Sequence, residues 1–291
     1  MPKLSLVIPT LGRRAELKML LESIELSVYQ DFEVIIVDQN KDNLIDELCY
    51  DFSPSFPLYH HKVDFIGAAK ARNFGAFYAR GEILNFPDDD CEISPSLLGD
   101  AIELFNSDSE LGVLYGKTLD KVTKRDSVLN FADKTQEVTN VNMYHTTIEC
   151  TMFIRKNIFE QVGCYDEKLG VGTFYGAEEN ADLVLRLLYL NNKILYNPKL
   201  IFYHPQTVGG YTEKENNRAY TYGKGFGRLT NKHVIMYKNR TFFLRFLYAL
   251  IRSTTAIVIN IMLFKFKKAK FYYFSSKGRI HGVYFSLKEF M

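Results

Sequence analysis

The sequence predicts an α/β fold, a mainly parallel sheet flanked by helices, with a helical extension at its C-terminal end. Three observations carry the prediction. Short β-branched runs alternate with helix-spaced apolar residues from Leu4 to Phe86, carboxylates stand directly after two of those runs, and the last quarter of the chain turns basic and aromatic.

Leu4, Leu6, Val7 and Ile8 form a short apolar strand ended by Pro9, and Leu17, Leu20, Leu21 and Ile24 follow at helical spacing. Val34 to Val37 is a second β-branched run, ending at Asp38, and Leu58 begins a weaker third strand. Gly67 to Tyr78 reads as a helix rich in small residues, and Ile83 to Phe86 as a strand stopped by Pro87. Strands that alternate with helices take right-handed crossovers, so their carboxyl ends share one edge, where open sheets bind ligands. Asp38 and the triplet Asp88, Asp89 and Asp90 therefore belong on one lip.

Further along, Leu97 to Phe105 reads as a helix and Val113 to Tyr115 as a strand, while residues 117–148 are polar and carry no periodic signal. Glu149 to Arg155 reads as a strand, Asp182 to Leu190 as a helix, and Ile194 to Tyr196 as a short strand before Pro198. The division expected is a catalytic domain over 1–210 and a basic, aromatic, helical region over 211–291.

With 24% charged and 47% hydrophobic residues the chain is neither disordered nor a multi-spanning membrane protein. Its net charge of +2 hides an asymmetry: thirteen Lys or Arg from Arg228 onward face Glu289 alone. The four cysteines lack metal-ligand spacing and read as reduced, and the N-terminal residues lack a signal-peptide pattern, so a cytoplasmic protein is expected.

Three consecutive carboxylates after a buried strand repel one another, and a divalent cation relieves that repulsion. Hard oxygen ligands suit Mg2+ or Mn2+, which share their coordination with phosphate oxygens; a solvated acidic turn is the plainer alternative. Asp38, beside that cluster, reads as a nucleotide contact, or otherwise as a turn residue. No Gly-x-Gly-x-x-Gly and no Gly-Lys-Ser/Thr loop is present, which argues against dinucleotide enzymes and P-loop NTPases. Arg72 and Asn73, with Lys70, sit on the small-residue helix where they can neutralise a diphosphate or simply face solvent. Glu178 and Glu179 open a helix after the loop Gly170 to Gly176; they either complement the helix dipole or supply a general base. His204 is a packing residue or, near a metal, a ligand.

In their order and spacing, Leu6-Val7-Ile8-Pro9-Thr10, Ile35-Ile36-Val37-Asp38-Gln39, Gly67 with Ala71-Arg72-Asn73-Phe74-Gly75, Gly81-Glu82 and Phe86-Pro87-Asp88-Asp89-Asp90 resemble glycosyltransferase family 2 over roughly residues 4–230. The resemblance is to enzymes of GT-A (Rossmann-like) fold, especially bacterial ones that build surface polysaccharides. It implies an inverting, metal-dependent transferase in which Pro9, Thr10, Asp38, Gly67, Arg72, Asn73, Asp89 and Asp182 bind substrate. Asp38 would contact the nucleobase, commonly uracil, and Asp88, Asp90 and His204 would hold Mn2+ or Mg2+. The family pattern Glu-Asp/Glu-x-Asp-x-x-x-Arg falls on Glu179 to Arg186 with Asn180 where the second acid usually serves as base, so Glu179 or Glu178 inherits that role.

The implied partners are a nucleotide-diphosphate sugar donor and a saccharide or polyprenyl-diphosphate-linked acceptor; nothing resembles a nucleic-acid module. Between Phe242 and Phe264, Arg245 and Arg252 leave an uncharged run from Ser253 too short to span a bilayer. Phe266 and Phe271 to Phe274, interleaved with Lys265, Lys267, Lys268 and Lys270, suit an anionic membrane surface, or else a hairpin packed on the catalytic domain. Two other readings stand beside the transferase. One is an inactive nucleotide-sugar-binding scaffold, motivated by Asn180. The other is a sugar-phosphate nucleotidylyltransferase, for which Leu11-Gly12-Arg13-Arg14 is a poor phosphate loop.

Overall fold

The computed structural model describes residues 1–206 and 210–291. Its first half alternates as the periodicity predicts: β1 (Leu4–Thr10), α1 (Arg14–Glu25), β2 (Phe32–Asp38), α2 (Asp46–Phe52), β3 (Leu58–Lys62), α3 (Ala68–Tyr78) and β4 (Ile83–Asn85). β5 (Glu92–Ile93), α4 (Leu97–Ser107), β6 (Leu111–Leu119), β7 (Gln136–Glu137), β8 (Met152–Arg155), α5 (Lys156–Gln161), α6 (Glu179–Tyr189) and β9 (Lys193–Tyr203) follow. The chain ends in α7 (Glu213–Asn231), α8 (Arg240–Met262) and α9 (Phe266–Phe290).

The described residues divide into two compact units. One contains Met1–Tyr165 and the chain from Leu183 through β9; the other contains Asp166–Asp182 and the three C-terminal helices. The segment Asp166–Asp182 thus groups with the helices that follow it in sequence by some thirty residues or more, rather than with the strands on either side of it.

The first unit is built on a nine-stranded sheet of order β3-β2-β1-β4-β8-β6-β9-β5, with β7 also on β9. β1 to β4 run parallel, β8 reverses against β4, and β6 and β9 restore the original direction. Every residue of β1 and β2 is buried, which is why they read as continuous apolar runs rather than alternating ones. α1 covers the sheet with Leu17, Leu20, Leu21 and Ile24. α3 lies close on β1 and β2 because its inner positions are small: a Cβ on Gly75 would run into the Val7 side chain and come within 3.0 Å of Val37.

Three expectations change in detail. The run at Glu149 begins as a 3-10 turn over Glu149–Thr151, and only Met152–Arg155 is strand. β9 does not stop at Pro198 but runs from Lys193 to Tyr203, eleven residues in all. It does so through a register shift in which Tyr115 pairs with Tyr196 and Lys117 with Ile201, so Pro198 sits where the ladder is already interrupted. Gly116 faces that bulge, and a Cβ there would strike the Leu200 backbone. Finally, α6 starts at Glu179, within the acidic pair read as opening a helix and three residues ahead of the apolar pattern read from Asp182.

In the second unit, α7 opens with a capping box, Thr212 accepting from the Glu215 amide while Glu215 accepts from the Thr212 amide. Gly223 and Gly227 of α7 face Gly278 and Gly282 of α9 so closely that a Cβ on any of them would meet backbone atoms of the other helix. This small-residue seam leaves no room for side chains between the helices. A buried charge cluster completes the unit: Asp166 binds Arg228 (2.7 Å) and Lys232 (2.8 Å), and Asp182 binds Lys232 (2.7 Å) and His233 (3.1 Å). A π-helical turn, Lys232–Met236, carries the last two. α8 runs through Arg245 and Arg252 and so is longer than its uncharged stretch; by length and composition it could cross a membrane.

Candidate active site

The parallel strands β1, β2 and β4 bring their carboxyl ends to one edge, and Thr10 stands beside Asp38 in the β1–β2 register. The acidic triplet follows β4 at the same edge and divides its work. Asp89 turns inward: it is 6% exposed, accepts from the Thr10 hydroxyl at 2.8 Å and pairs with Arg13 at 2.9 Å. Burial pushes its carboxyl up to about 6, the charges of Asp88 and Asp90 adding to the rise and Thr10 and Arg13 opposing it. Asp88 instead pairs with the buried Arg72 at 2.7 Å, and Asp90 with Arg13 at 2.5 Å.

β9 brings His204 to the same corner. Ligand atoms of Asp88, Asp90 and His204 all lie within 4.8 Å of one another. Three features fit this trio to a divalent cation. Among the described residues the three carboxylates pair with two guanidinium groups, Arg13 and Arg72, which leaves one negative charge over. Asp90 Oδ1 is buried and has no hydrogen-bond donor among the described residues. His204 Nδ1 lies 2.7 Å from the Pro205 carbonyl, which assigns it a proton, and in the neutral ring the lone pair of Nε2 then faces Asp90 Oδ1 at 3.4 Å. Two lone pairs meeting across that gap call for a proton or a metal between them.

Asp38 is fully buried and both its oxygens are engaged, Oδ1 by the Asn40 amide (2.8 Å) and side chain (2.7 Å), Oδ2 by His60 (2.9 Å). The turn it anchors clasps its neighbours: Asn40 accepts from the Gly12 amide at 2.7 Å and Gln39 from the Gly67 amide at 2.8 Å. Gly67, at φ 146°, needs glycine's freedom to start α3 there. Asp38, Asp46 and His60 also have ligand atoms within 4.8 Å of one another, but Lys62 stands on Asp46 at 2.8 Å and already supplies a cation. Pro9 is buried in β1 beyond Leu6, the last residue opposite β4, so only β2 pairs with the strand there. Asn73 exchanges two 3.0 Å hydrogen bonds with the Tyr165 backbone and so fastens α3 to the chain after α5.

The remaining candidates belong to the second unit. Glu178, at φ 77°, holds a left-handed conformation that costs a non-glycine residue energy. Glu179 begins α6 and is 3% exposed. Its carboxyl group lies against Gly170, where a Cβ would come within 2.9 Å of it, and Gly170 itself has φ 96°. Asp182 is fully buried with Lys232 and His233 on its carboxylate.

Sequence reading missed Arg13, Asn40 and His60. Arg13 had a signal, a cation directly after the first strand on the lip where the acids gather. His60 had none, because only the β2–β3 pairing sets it beside Asp38.

The family model Glycosyl transferase family 2 matches residues 5–163. An uncharacterized glycosyltransferase of Haemophilus influenzae is 27% identical over 190 residues, 64% of this chain, and the match spans 62% of that relative's length. Among solved structures, residues 1–349 of TarS from S. aureus, in complex with UDP-GlcNAc, superpose with a TM-score of 0.60 at 18% identity, covering 96% of this chain and 90% of that one. The mannosyltransferase PcManGT from Pyrobaculum calidifontis, in complex with GDP-Man and Mn2+, gives 0.64 at 14% identity, covering 99% and 88%. The fold is that of the GT-A transferases, and with more than half its length matched by the family model the chain belongs to glycosyl transferase family 2.

Proposed function

We propose that the protein is an inverting glycosyltransferase that moves a sugar from a nucleotide diphosphate, UDP by preference, to a lipid-linked or saccharide acceptor in surface polysaccharide biosynthesis. It would work peripherally on the inner face of the cell membrane. The observation that carries the reading is the convergence of Asp88, Asp90 and His204 beside the Thr10 and Asp38 strand ends. The nucleotide sugars held by TarS and PcManGT support the donor class.

In this reading the nucleobase lies against the Asp38–Asn40 turn, and Arg13 and Arg72 face the diphosphate. Asp88, Asp90 and His204 would hold Mn2+ or Mg2+, whose positive charge would stabilise the departing diphosphate. The acceptor oxygen bonds to the anomeric carbon as the bond from that carbon to the phosphate oxygen breaks; the diphosphate leaves with the electron pair, and the hydroxyl proton passes to a carboxylate. We assign that base to Glu179, with Glu178 second, because Asn180 cannot accept a proton at neutral pH. Asn180 equally motivates the inactive scaffold as a second reading, and donor hydrolysis or transfer separates the two.

The test is calorimetric titration with UDP, with and without Mn2+, on the wild type, Asp90→Asn and His204→Ala. Metal-dependent binding that both variants weaken at least tenfold is expected. A folded wild type that ignores UDP in the presence of metal would remove the UDP assignment.

A further inference from the structure

α8 has its polarity inside out over its second half. Its inward face carries Phe242 and Phe246 in its first half but Ser253 and Asn260, 3% and 7% exposed, in its second. Ser253 donates to the Ala249 carbonyl at 2.8 Å and accepts from Ser276 (2.6 Å) and Arg279 (3.2 Å) of α9, while Asn260 donates to the Ala256 carbonyl at 2.7 Å. The opposite face presents Leu244, Leu247, Ile251, Val258 and Met262, between 38% and 72% exposed. These recur every three, four or seven residues and form one stripe along the helix. Only 17% of the helix's most apolar window is buried, so this is no core helix. A surface helix in water turns its apolar side to the core and its polar side out; the second half of α8 does the reverse, and the outer stripe stays apolar along the whole helix, which suits hydrocarbon on that face.

The charges indicate how α8 meets that hydrocarbon. From Arg240 to the end there are ten Lys or Arg and one acid, Glu289, which is engaged by Lys168 and Arg228. Arg240, Arg252, Lys265 and Lys267 have no carboxylate partner among the described residues. Arg245 and Arg252, seven residues apart, share one flank of α8 about a quarter turn from the stripe, where long side chains reach phosphate while their stems stay in the apolar layer. At about 1.5 Å per residue the 23-residue helix is long enough to span. Its partner α9, however, carries Lys267, Lys268, Lys270, Lys277 and Arg279 along its length, too many charges to bury across a bilayer. A second copy of this chain is a poor occupant of the stripe, since docking would set two basic hairpins against each other.

We propose that the outer face of α8 is the membrane-docking surface, embedded parallel to the bilayer plane at the boundary of headgroups and acyl chains of an anionic membrane. The inference rests on the peripheral-membrane part of the function proposed above and not on its transferase chemistry. It moves the main lipid contact from the Phe266 to Phe274 segment, where Phe271, Tyr272 and Phe274 are half-buried while Phe266 and Tyr273 are exposed, onto the preceding helix.

The chain contains no tryptophan, so single replacements on α8 report without background. Leu244→Trp, Ile251→Trp and Val258→Trp, with Phe77→Trp on α3 as control, would be mixed with phosphatidylcholine vesicles with and without phosphatidylserine. The vesicles would carry quenchers either near the headgroup or near the chain ends. All three α8 reporters should shift to the blue on anionic vesicles only, with the shallow quencher the more effective at every position, while Phe77→Trp stays unchanged. Vesicle binding with unshifted α8 reporters would overturn the proposal and leave peripheral attachment standing; absence of vesicle binding would overturn both. Deep quenching of Ile251→Trp with shallow quenching of Leu244→Trp would mean a spanning helix, and a concentration-dependent blue shift without vesicles a second copy; either outcome also overturns it. UDP binding, measured alongside, is unaffected in every case.

Discussion

One substitution, made at two glycines, should act with opposite sign. Gly99 lies in the first turns of α4, and the nearest atom to an added Cβ is Tyr29 Cβ at 3.8 Å, an ordinary contact. Gly99→Ala should therefore stabilise, by about 0.5–1 kcal/mol, through the helix-forming advantage of alanine and the smaller entropy of the unfolded chain. Gly227 enjoys the same advantage, but its Cβ would overlap the Arg279 carbonyl and come within 2.6 Å of the Val283 amide and 2.8 Å of the Gly282 carbonyl carbon. These are backbone atoms, so no side chain can rotate away and α7 must part from α9. Overpacking costs about 1–3 kcal/mol or more, and the absence of any yielding group puts Gly227→Ala at the upper end. The net loss is about 2 kcal/mol, roughly a 30-fold change in the opening equilibrium. Hydrogen exchange read by peptide mass spectrometry is the assay. Protection in α7 and α9 should fall by about that factor in Gly227→Ala, while protection in α4 rises severalfold in Gly99→Ala. Equal and same-sign shifts would refute the reasoning.

Three further outcomes follow from the site and its supports. Glu179→Gln should lower the transfer rate by about 10²-fold or more with little change in donor affinity, and Glu178→Gln by much less; steady-state kinetics beside UDP titration separates them, and the reverse order would transfer the base to Glu178. Lys232→Met strips buried carboxylates of a partner and should destabilise by about 3–5 kcal/mol, whereas replacing Asp182 by Leu in the same chain should restore part of the loss; urea unfolding of both variants measures the coupling. Burial raises the Asp166 carboxyl but Lys232 and Arg228 outweigh it, so the group ionises below its ordinary range. Its stabilising contribution is therefore complete above about pH 4, the unfolded value, and is lost as pH falls through the folded one; Asp166→Asn should flatten the acid limb of a melting-temperature profile.

The strands with buried edges were the legible part. β1, β2 and the start of α3 follow from apolar runs and spacing alone, and so does the lip that collects Asp38 and Asp88 to Asp90. What local pattern cannot carry is pairing. His60 acquires meaning only because β3 lies beside β2, and Pro198 reads as a stop until β6 supplies the bulge that accommodates it. The environment of Asp182 was hidden for the same reason, since Lys232 and His233 lie fifty residues onward on a π turn that no propensity announces. The arginines of α8 ended the apolar count at Ser253, whereas the helix simply carries them along one flank.

The place of His204 at the end of β9 has a consequence for the order in which the corner can form. The match to the family ends at residue 163, and by that point the chain already holds Asp88 and Asp90 but not the imidazole that joins them. β9 joins the sheet through β6 and also pairs with β5, where Glu92 stands opposite Tyr203, so the histidine arrives only when a strand more than a hundred residues further along has registered beside the chain that follows Asp90. During synthesis the two aspartates emerge long before their third partner. Such non-local pairing is slow to form, and tight retention of a cation at this corner would mark the completion of the sheet rather than the folding of its N-terminal half.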